Sequence, residues 1–349
     1  MPSRPEIPTR TASRPSRKTT TQTMSTDWGR AVELVDGADS ICLACHLRPD
    51  ADALGSMLAM AQALHGRGHS VMASFGDDPF AVPANLRFLP GQQLLSAPAS
   101  VPARPELMMS FDASALDRLG LLAGPAAAAS ELIVLDHHAS NTGFGSINLV
   151  DPAAAATAAL TAELIRRLGI SLTRDVALCL YAGLVTDTGS FRFSSTTPEV
   201  HQLAARLLAT GLQPAAISRE LYDRAPFGYL GLLAAALDRA VLDADAANGL
   251  GLVWTTVTKA DRERAGLPLD AAESVIDVIR RTDEAEVAAV LKEDDQGTWQ
   301  VSVRSKDVID VAKAASQLGG GGHARAAGFS HTGSPGEAIA ALKRALEES

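Results

Sequence analysis

Residues suited to binding metal ions are concentrated in one short stretch of the chain, residues 46–56. This stretch contains the imidazole of His46 and the carboxylates of Asp50 and Asp52. A short apolar run precedes it and an apolar helical pattern follows it, so we expect a turn that leads from a buried strand into a helix. Carboxylates two positions apart point in different directions at the start of a helix. Three ligands do not complete a metal site, so further ligands must come from other parts of the chain.

Further acidic and histidine residues follow other predicted strands. The apolar run 106–111 predicts one strand and the run 131–135 predicts another. Continuously apolar strands that alternate with helices indicate a parallel sheet covered on both faces. In such sheets, ligands gather at the carboxyl ends of the strands. The candidate residues that follow these two runs are Asp112, Asp136, His137 and His138.

A last carboxylate, Asp187, lies in a turn after the predicted helix 174–185. Taken singly, each candidate has an ordinary structural role, such as a helix cap for Asp52 or a turn former for Asp187. Taken together, the carboxylates would repel one another unless cations compensated their charge. Carboxylate and imidazole ligands without thiolate favour Mn²⁺, Mg²⁺ or a similar ion over structural zinc, and Fe²⁺ and Co²⁺ are also compatible with them.

The second half of the chain predicts a smaller α+β domain. Residues 250–257 alternate as a strand, and residues 286–292 pair with residues 299–304 as a hairpin. The hairpin places an arginine, Arg304, near the end of its second strand. Arginine is suited to bidentate contacts with phosphate.

A run of four glycines, residues 319–322, follows a predicted helix and leads directly into His323, with Arg325 two positions later. Four glycines alone are typical of a flexible linker. Glycines also free backbone N–H groups to approach an anion closely, as in phosphate-binding loops. From these residues alone, both interpretations stay open. The candidate residues for phosphate binding are Gly320, Gly321, Gly322, His323 and Arg325.

The length of 349 residues and the hydrophobic content of 46% predict about two globular domains. Residues 1–26 differ from the rest, because they contain five basic residues and one acidic residue among Ser, Thr and Pro. The expected divisions are a disordered basic tail at 1–26, a catalytic domain at 27–214, a helical linker at 215–248 and a substrate-binding domain at 249–347.

The composition also excludes some classes of function. A net charge of −9 argues against binding of long duplex nucleic acid, which needs many phosphate contacts from Lys and Arg. No apolar run approaches the roughly 20 residues that span a bilayer, so we expect no membrane segment. Three cysteines are too few for a disulfide framework and favour a reducing, cytoplasmic compartment.

These motifs carry a family resemblance. His46-x-x-Pro49-Asp50-Ala51-Asp52, the isolated Asp112, Asp136-His137-His138 and Thr186-Asp187-Thr188-Gly189 resemble the four motifs of the DHH phosphoesterase superfamily. Arg304 within Ser302-Val303-Arg304-Ser305 and the run Gly319 to His323 resemble its C-terminal DHHA1 domain. This resemblance implies that the glycine run, Arg304 and His323 contact the substrate phosphate, together with Arg325. The resemblance covers about residues 27–347, with the motifs in the same order. It is strongest to the group of bifunctional oligoribonucleases and 3′-phosphoadenosine 5′-phosphate (pAp) phosphatases.

The resemblance implies an α/β fold with a parallel-sheet DHH domain and a smaller α+β DHHA1 domain. It also implies two divalent metal ions, typically manganese, with Asp112 as the bridging ligand. Asp136 would orient His137 by a hydrogen bond, and His138 would face the scissile phosphate. The residues expected to hold the two ions are His46, Asp50 and Asp112 for one, and Asp52, Asp112, His137 and Asp187 for the other.

The activity implied is hydrolysis of short oligoribonucleotides or linear dinucleotides to mononucleotides, and removal of the 3′-phosphate of pAp. Two alternatives remain at this point. A manganese inorganic pyrophosphatase or exopolyphosphatase shares the first domain. A catalytically silent nucleotide-binding regulator would keep the fold, but it would be expected to lack at least one ligand position. The resemblance also suggests a homodimer.

Overall fold

The computed structural model describes residues 20–349, with side chains from Asp27 onward. The expected basic tail therefore lies outside the described residues as far as position 19. The first helix, α1 (Thr20–Gly37), begins inside the span that was expected to be tail. Its residues Trp28, Ala31 and Val35 are buried against the first domain.

The first domain is built on a parallel sheet of five strands in the order β2-β1-β3-β4-β5. This confirms the predicted fold class and the predicted strands. The fifth strand, β5, was not predicted from the sequence and is only four residues long. The strands are β1 (Ser40–Cys45), β2 (Ser70–Phe75), β3 (Leu107–Phe111), β4 (Glu131–Asp136) and β5 (Ile147–Val150).

Helices cover both faces of this sheet. One apolar cluster packs α2, α4 and α5 against one face, and a smaller cluster that includes Leu119 and Leu122 lies on the other. Gly55 allows the closest approach between α2 and α5, because a Cβ there would lie 2.5 Å from the carbonyl oxygen of Cys179. The helices are α2 (Ala51–Gly66), α3 (Ala123–Ala128), α4 (Thr157–Arg167), α5 (Arg174–Asp187), α6 (Pro198–Leu208) and α7 (Pro214–Tyr222).

The segment expected to be a helical linker contains more than helices. After α7, a second helix, α8 (Gly228–Asp238), leads into a three-residue strand, β6 (Val241–Asp243), and a short helical turn, α9 (Ala246–Gly249). Strand β6 pairs with the C-terminal sheet, so this part of the segment belongs structurally to the second domain.

The second domain has a mixed sheet of six strands in the order β10-β11-β9-β8-β7-β6. The predicted hairpin of β8 and β9 is present and antiparallel. The glycine run is not wholly a loop, because β10 begins within it and pairs with β11. The strands are β7 (Leu252–Val257), β8 (Val287–Glu293), β9 (Thr298–Ser305), β10 (Gly321–His323) and β11 (Ala326–Thr332), and the helices are α10 (Lys259–Ala265), α11 (Val275–Ile279), α12 (Val311–Gln317) and α13 (Pro335–Glu347).

Within residues 20–349, no helix combines the length and the apolar character that a membrane crossing requires.

Candidate metal centre

The carboxyl edge of the parallel sheet collects the predicted ligands. His46 follows β1, Asp112 follows β3, and Asp136 ends β4. Asp112 has a positive φ of 58°, which is unusual for a residue other than glycine and places its carboxylate at the sheet edge. Asp187 ends α5 and reaches the same region. The sheet topology thus explains why residues far apart in sequence converge.

One ligand group consists of His46, Asp50 and Asp112. The His46 Nε2 atom lies 3.6 Å from Asp112 Oδ2 and 3.9 Å from Asp50 Oδ2. The other ring nitrogen, Nδ1, lies 2.8 Å from the Leu47 carbonyl oxygen and donates to it. That contact leaves the lone pair of Nε2 available for a cation.

Asp50 has two functions in this turn. Its Oδ1 atom accepts hydrogen bonds from the backbone N–H groups of Asp52 (3.0 Å) and Ala53 (2.9 Å), which caps the N-terminus of α2. Its Oδ2 atom remains free to face His46. The cap of α2 is therefore Asp50 and not Asp52, for which a helix-cap role was one expectation.

The second group consists of Asp52, His137 and Asp187. The His137 Nε2 atom lies 3.1 Å from Asp187 Oδ2, 3.9 Å from Asp52 Oδ2 and 3.5 Å from Asp112 Oδ1. Asp112 therefore presents one oxygen to each group, which is the geometry of a bridging ligand. Thr157, which no sequence motif marks, donates its hydroxyl to Asp112 Oδ1 at 2.7 Å.

Asp52 lies in the first turn of α2 and is fully buried, with its carboxylate facing the N-terminus of α4. Its oxygens accept the backbone N–H groups of Thr157 (2.6 Å) and Ala158 (2.9 Å). Burial raises the pKa of Asp52 well above its ordinary value, and the nearby carboxylates of Asp112 and Asp187 raise it further. The charge of His137, 3.9 Å from Asp52, lowers the pKa of Asp52 but does not outweigh these effects.

Protons on the histidines supply positive charge in the protein alone. Burial lowers the pKa of His137, but the close carboxylate of Asp187, 3.1 Å from Nε2, and the charges of Asp112 and Asp52 outweigh burial and raise the pKa to about 11. Burial also lowers the pKa of His46, but its contact with Asp112 and the nearby charge of Asp50 outweigh burial and raise the pKa to about 9. For Asp187, burial is the largest cause of a pKa raised to about 6, although His137 lowers it.

The residues present fit divalent metal ions. His137 Nε2 is buried and has no hydrogen-bond partner among the described residues, although it points into the carboxylate cluster. Its other nitrogen, Nδ1, lies 3.2 Å from the carbonyl oxygen of Ala154. A cation at Nε2 would satisfy this orphaned atom and the carboxylates together. Oxygen and imidazole donors without thiolate suit Mn²⁺ or Mg²⁺.

The structure corrects one predicted contact. Asp136 was expected to orient His137, but its Oδ1 atom accepts from Nδ1 of His138 at 2.7 Å. Its Oδ2 atom accepts from the side-chain amide of Asn141 at 2.7 Å. Asn141 was not identified from the sequence. The buried Asp136 is thus a positioning residue for His138.

The second domain covers the metal centre through His323. The ring of His323 stacks on that of His138 with 4.0 Å between centroids and an interplanar angle of 23°. It also lies 4.6 Å from the ring of His137. Burial lowers the pKa of His323 to about 3, and the positive charges of His138 and His137 add to this effect. His323 therefore remains neutral in the cleft.

The other predicted substrate-binding residues differ in position. Arg304 lies on β9 opposite Ala326, and its Nη1 atom donates to the Val303 carbonyl at 3.1 Å. Arg325 is held within its own domain, because it donates to the Ile309 carbonyl at 3.0 Å and lies 3.4 Å from Asp307.

The glycines of the run allow close strand packing. A Cβ atom on Gly322 would collide with the carbonyl oxygen of Ala326, and one on Gly320 would collide with that of Gly328. Both positions therefore require glycine for the close approach of β10 to β11. Gly321 has open space around its Cα atom.

Comparisons with known proteins agree with this geometry. The profile described as the DHH family, N-terminal domain, matches residues 40–184, and the profile described as the DHHA1 domain matches residues 255–349. A bifunctional oligoribonuclease and PAP phosphatase NrnA from Thermus thermophilus is 35% identical over 288 residues, which cover 82% of this chain and 83% of that protein.

Solved structures show the same fold. An exopolyphosphatase-related protein from Bacteroides fragilis has a TM-score of 0.81 at 24% identity, covering 93% of this chain and 96% of that chain. RecJ from Thermus thermophilus, crystallised in complex with Mn²⁺, has a TM-score of 0.51 at 17% identity. The match covers 94% of this chain and 54% of RecJ.

Proposed function

Because this chain belongs to the DHH family, we propose that it hydrolyses short oligoribonucleotides or linear dinucleotides to mononucleotides and removes the 3′-phosphate of pAp. The observation that carries this proposal is the contact between His323 and His138. It places the second domain directly over the two ligand groups, so that a phosphate at the metal centre touches both domains. The relative from Thermus thermophilus is named for both activities.

In this proposal, His46, Asp50 and Asp112 hold one divalent ion, while Asp52, Asp112, His137 and Asp187 hold the other. When bound, two divalent ions lower the pKa of an attacking water molecule and offset the negative charge that develops at phosphorus. We propose Mn²⁺ for both positions. The Mn²⁺ complex of RecJ, which has the same fold, supports this choice.

The protein's own residues orient the phosphate. His138, whose Nδ1 atom is engaged by Asp136, retains its Nε2 atom for a phosphate oxygen or the leaving oxygen. Arg304 and the neutral His323 bind phosphate from the opposite side of the cleft, and the backbone of residues 320–322 approaches it with N–H groups. Arg325, already paired within its domain, supports this segment without reaching the metal centre.

Hydrolysis of pyrophosphate or polyphosphate is the second candidate, because the similar structure from Bacteroides fragilis is described as exopolyphosphatase-related. A panel of a 5′-phosphorylated dinucleotide, pAp, pyrophosphate and polyphosphate, each with Mn²⁺, Mg²⁺ or Zn²⁺, separates the candidates. We expect kcat/KM to be highest for the dinucleotide or pAp with Mn²⁺. Preferential turnover of pyrophosphate would overturn the assignment, and tight nucleotide binding without turnover would favour a silent regulator.

The replacement of Asp112 tests the metal mechanism directly. Asp112→Ala removes the ligand that both ion positions share, so we expect kcat/KM on a dinucleotide to fall by more than about 10³-fold. Equilibrium dialysis with Mn²⁺ should show loss of binding, while circular dichroism should show a retained fold. Near wild-type turnover by the purified variant would contradict the mechanism.

We further propose that the enzyme works in the cytoplasm on short RNA and nucleotide substrates rather than on long duplexes. A net charge of −9 supports the latter restriction. We also propose a homodimer that forms through the open edge of β6, where Val241 is 43% exposed and Leu242 is 45% exposed. Light scattering of the wild type and of a Leu242→Lys variant tests this assembly, and a wild-type monomer at micromolar concentration would contradict it.

A further inference from the structure

A strained loop follows the metal ligand Asp187. Ser190 has a φ of 60° and Phe191 a φ of 63°, both in the left-handed region that residues with side chains disfavour. Thr188 holds this conformation, because its hydroxyl accepts the N–H of Phe191 at 3.0 Å and its carbonyl accepts the N–H of Phe193 at 3.0 Å. Backbone strain of this kind persists where the surroundings over-determine it, often beside functional sites.

The loop places the ring of Phe193 at the seam between the two domains. Gly189 lies against this ring, and a Cβ atom at position 189 would collide with it. On the ring, the guanidinium carbon of Arg280 from the second domain lies 5.1 Å from the centroid. The strained loop therefore positions the Phe193 ring, and this ring makes a cation–π contact with Arg280 from the other domain.

Arg280 carries a charge without a local counterion. Among residues 27–349, it has no carboxylate oxygen within 4.0 Å. Its only side-chain hydrogen bond in that range goes to the carbonyl oxygen of Ser305, at 3.3 Å. Burial lowers the pKa of Arg280, and the positive charges of Arg304 and Arg192 lower it further, against the carboxylate of Asp277. Arg280 remains charged, as arginine does in proteins.

Arg280 borders the same cleft as the metal centre. Arg280 donates to the carbonyl oxygen of Ser305, which follows Arg304 on β9. Arg304 is in register with Ala326 of β11, and Ala326 is in register with His323 of β10, whose ring stacks on that of His138. The Arg280–Phe193 pair thus lies between the loop that follows Asp187 and the strands that carry Arg304 and His323.

We propose that the Arg280 guanidinium, held over the ring of Phe193, is the platform on which a nucleobase of the substrate stacks. This inference rests on the proposed function, since it assigns the base-binding part of the same cleft. The guanidinium lies over the Phe193 ring and Arg280 is only partly buried, so we assign the base to the side of the guanidinium away from the ring. Stacking on arginine planes tolerates any base, as cleavage of short RNAs of different sequence requires.

The test compares the binding of AMP and of ribose 5-phosphate, which share the sugar phosphate but carry adenine and a hydroxyl, respectively, at C1 of the ribose. Isothermal titration calorimetry in the presence of Mn²⁺ gives the ratio of the two Kd values. We expect AMP to bind roughly 5- to 150-fold more tightly than ribose 5-phosphate to the wild type, the range that one stacked base contributes. The Arg280→Lys variant keeps the charge but loses the plane, so the ratio should fall to within about threefold of one.

Two further variants serve as controls for the aromatic support and for the position of the arginine. Phe193→Leu keeps apolar packing against Gly189 but removes the ring, and it should also lower the ratio. Arg281→Lys makes the same change at the adjacent exposed arginine and should leave the ratio at the wild-type value. A wild-type ratio near one, or a ratio unchanged in Arg280→Lys, overturns the proposal. So does equal weakening of both ligands, which would show a contact that only joins the domains.

Turnover separates this inference from the proposed function. If the wild type shows the base-dependent ratio but hydrolyses no dinucleotide with Mn²⁺, the proposed function fails and the base platform stands. If it hydrolyses the dinucleotide but shows no such ratio, the platform is overturned and the proposed function stands.

Discussion

At the scale of single residues, the buried carboxylates divide into candidate ligands and positioning residues. Asp112 presents an oxygen to each of the two ligand groups. Asp136 is equally buried but directs both of its oxygens to His138 and Asn141. The two residues both follow or end a strand, so the sequence pattern predicts the same location for them. Only their side-chain directions separate their roles.

Asp136→Asn tests the positioning role. An asparagine side chain has one acceptor oxygen, so either His138 or Asn141 loses its partner. We expect kcat/KM on a dinucleotide to fall roughly 10- to 100-fold, as is typical for residues that orient an active-site group. Mn²⁺ affinity measured by calorimetry should stay within about threefold, because no ligand is removed.

Asp175→Asn is the matched control for this change. It removes the same charge from an exposed position in the first turn of α5, far along the helix from Asp187. Its kcat/KM should remain within roughly twofold of wild type. A loss of Mn²⁺ binding in Asp136→Asn would instead indicate that Asp136 is a ligand.

Residue types at strand ends could be predicted, but ring orientations could not. The convergence of all six metal-ligand candidates followed from motif order and from the meeting of parallel strands at one edge. Which histidine Asp136 holds depends on the direction in which each imidazole rotates after β4. Asn141 and Thr157 lie outside recognisable motifs, and their roles arise from the return of the chain to the same edge.

At the scale of elements, the α2–α5 pair supports the metal centre through two glycines. Gly55 of α2 meets the backbone of Cys179, and Gly183 of α5 meets Asp52, where a Cβ would lie 2.6 Å from Oδ1. The helices approach closely enough for α5 to hold Asp52 in place. The absence of a side chain at Gly183 thus contributes to the geometry of the second ligand group.

Gly183→Ala should therefore weaken metal binding without touching a ligand. The added methyl group pushes against the buried Asp52, which is held on its other side by the N-terminus of α4. We expect Mn²⁺ affinity to fall at least about tenfold and the free energy of unfolding to fall by about 1–3 kcal/mol from overpacking. Calorimetry and urea unfolding measure the two effects.

The contrasting substitution is Gly231→Ala in α8. A Cβ atom at this position has open space, so alanine should raise the helix stability by about 0.5–1 kcal/mol and leave Mn²⁺ binding unchanged. Unaltered metal affinity in Gly183→Ala would mean that Asp52 tolerates displacement.

The start of α10 provides a pH-dependent element outside the metal centre. The buried Asp261 accepts hydrogen bonds from the Thr258 N–H (2.9 Å) and hydroxyl (2.7 Å) and forms an ion pair with Arg239. Burial alone would raise the pKa of Asp261, but the contacts with Thr258 and Arg239 outweigh it and hold the pKa below its ordinary value. The charged carboxylate therefore stabilises the folded domain.

Asp261→Asn should lower the stability of the second domain by about 2 kcal/mol at pH 7. Because the folded pKa is depressed, this contribution is present above the unfolded pKa of about 3.9 and is lost as the pH falls through the folded value. Hydrogen-exchange mass spectrometry of α10 and β7 between pH 7 and pH 3 measures the difference. A difference in stability between the wild type and Asp261→Asn that stays constant down to pH 3 would contradict this role of the Asp261 carboxylate.

Element prediction succeeded where the patterns were long and failed where strands were short. The parallel strands and the β8–β9 hairpin have clear apolar runs. The strand β6 has three residues, of which Val241 and Leu242 are exposed, so it resembles the end of the preceding helical pattern. The strand β10 contains two glycines, which alone are typical of a loop, and only its pairing with β11 makes it a strand.

At the scale of the whole molecule, the two domains meet at the metal centre and have separate hydrophobic cores. One core surrounds the parallel sheet, and two others lie on either face of the mixed sheet. His323 and Arg280 extend from the second domain toward the first. Metal binding should therefore stabilise mainly the first domain, since all of the proposed ligands belong to it.

Removal of metal tests this division. At 100 times Kd, Mn²⁺ should add about 2.7 kcal/mol to the stability of the first domain, and chelation with EDTA should remove it. Hydrogen exchange should accelerate in β1, β3, β4 and α5 but not in α12 or α13. The Asp112→Ala variant should show little response to EDTA. Equal acceleration in both domains would show that they unfold as one unit.

The distribution of the metal ligands along the chain also bears on the order of folding. Residues 46 and 187 enclose most of the first domain, and the bridging Asp112 reaches its place only when β3 lies between β1 and β4. No early local turn can assemble either of the proposed ligand groups, so we expect the capacity to take up Mn²⁺ to arise late, when the parallel sheet is complete. Metal uptake during refolding should therefore report when α5 docks onto the sheet. It can be followed in real time through the paramagnetism of Mn²⁺.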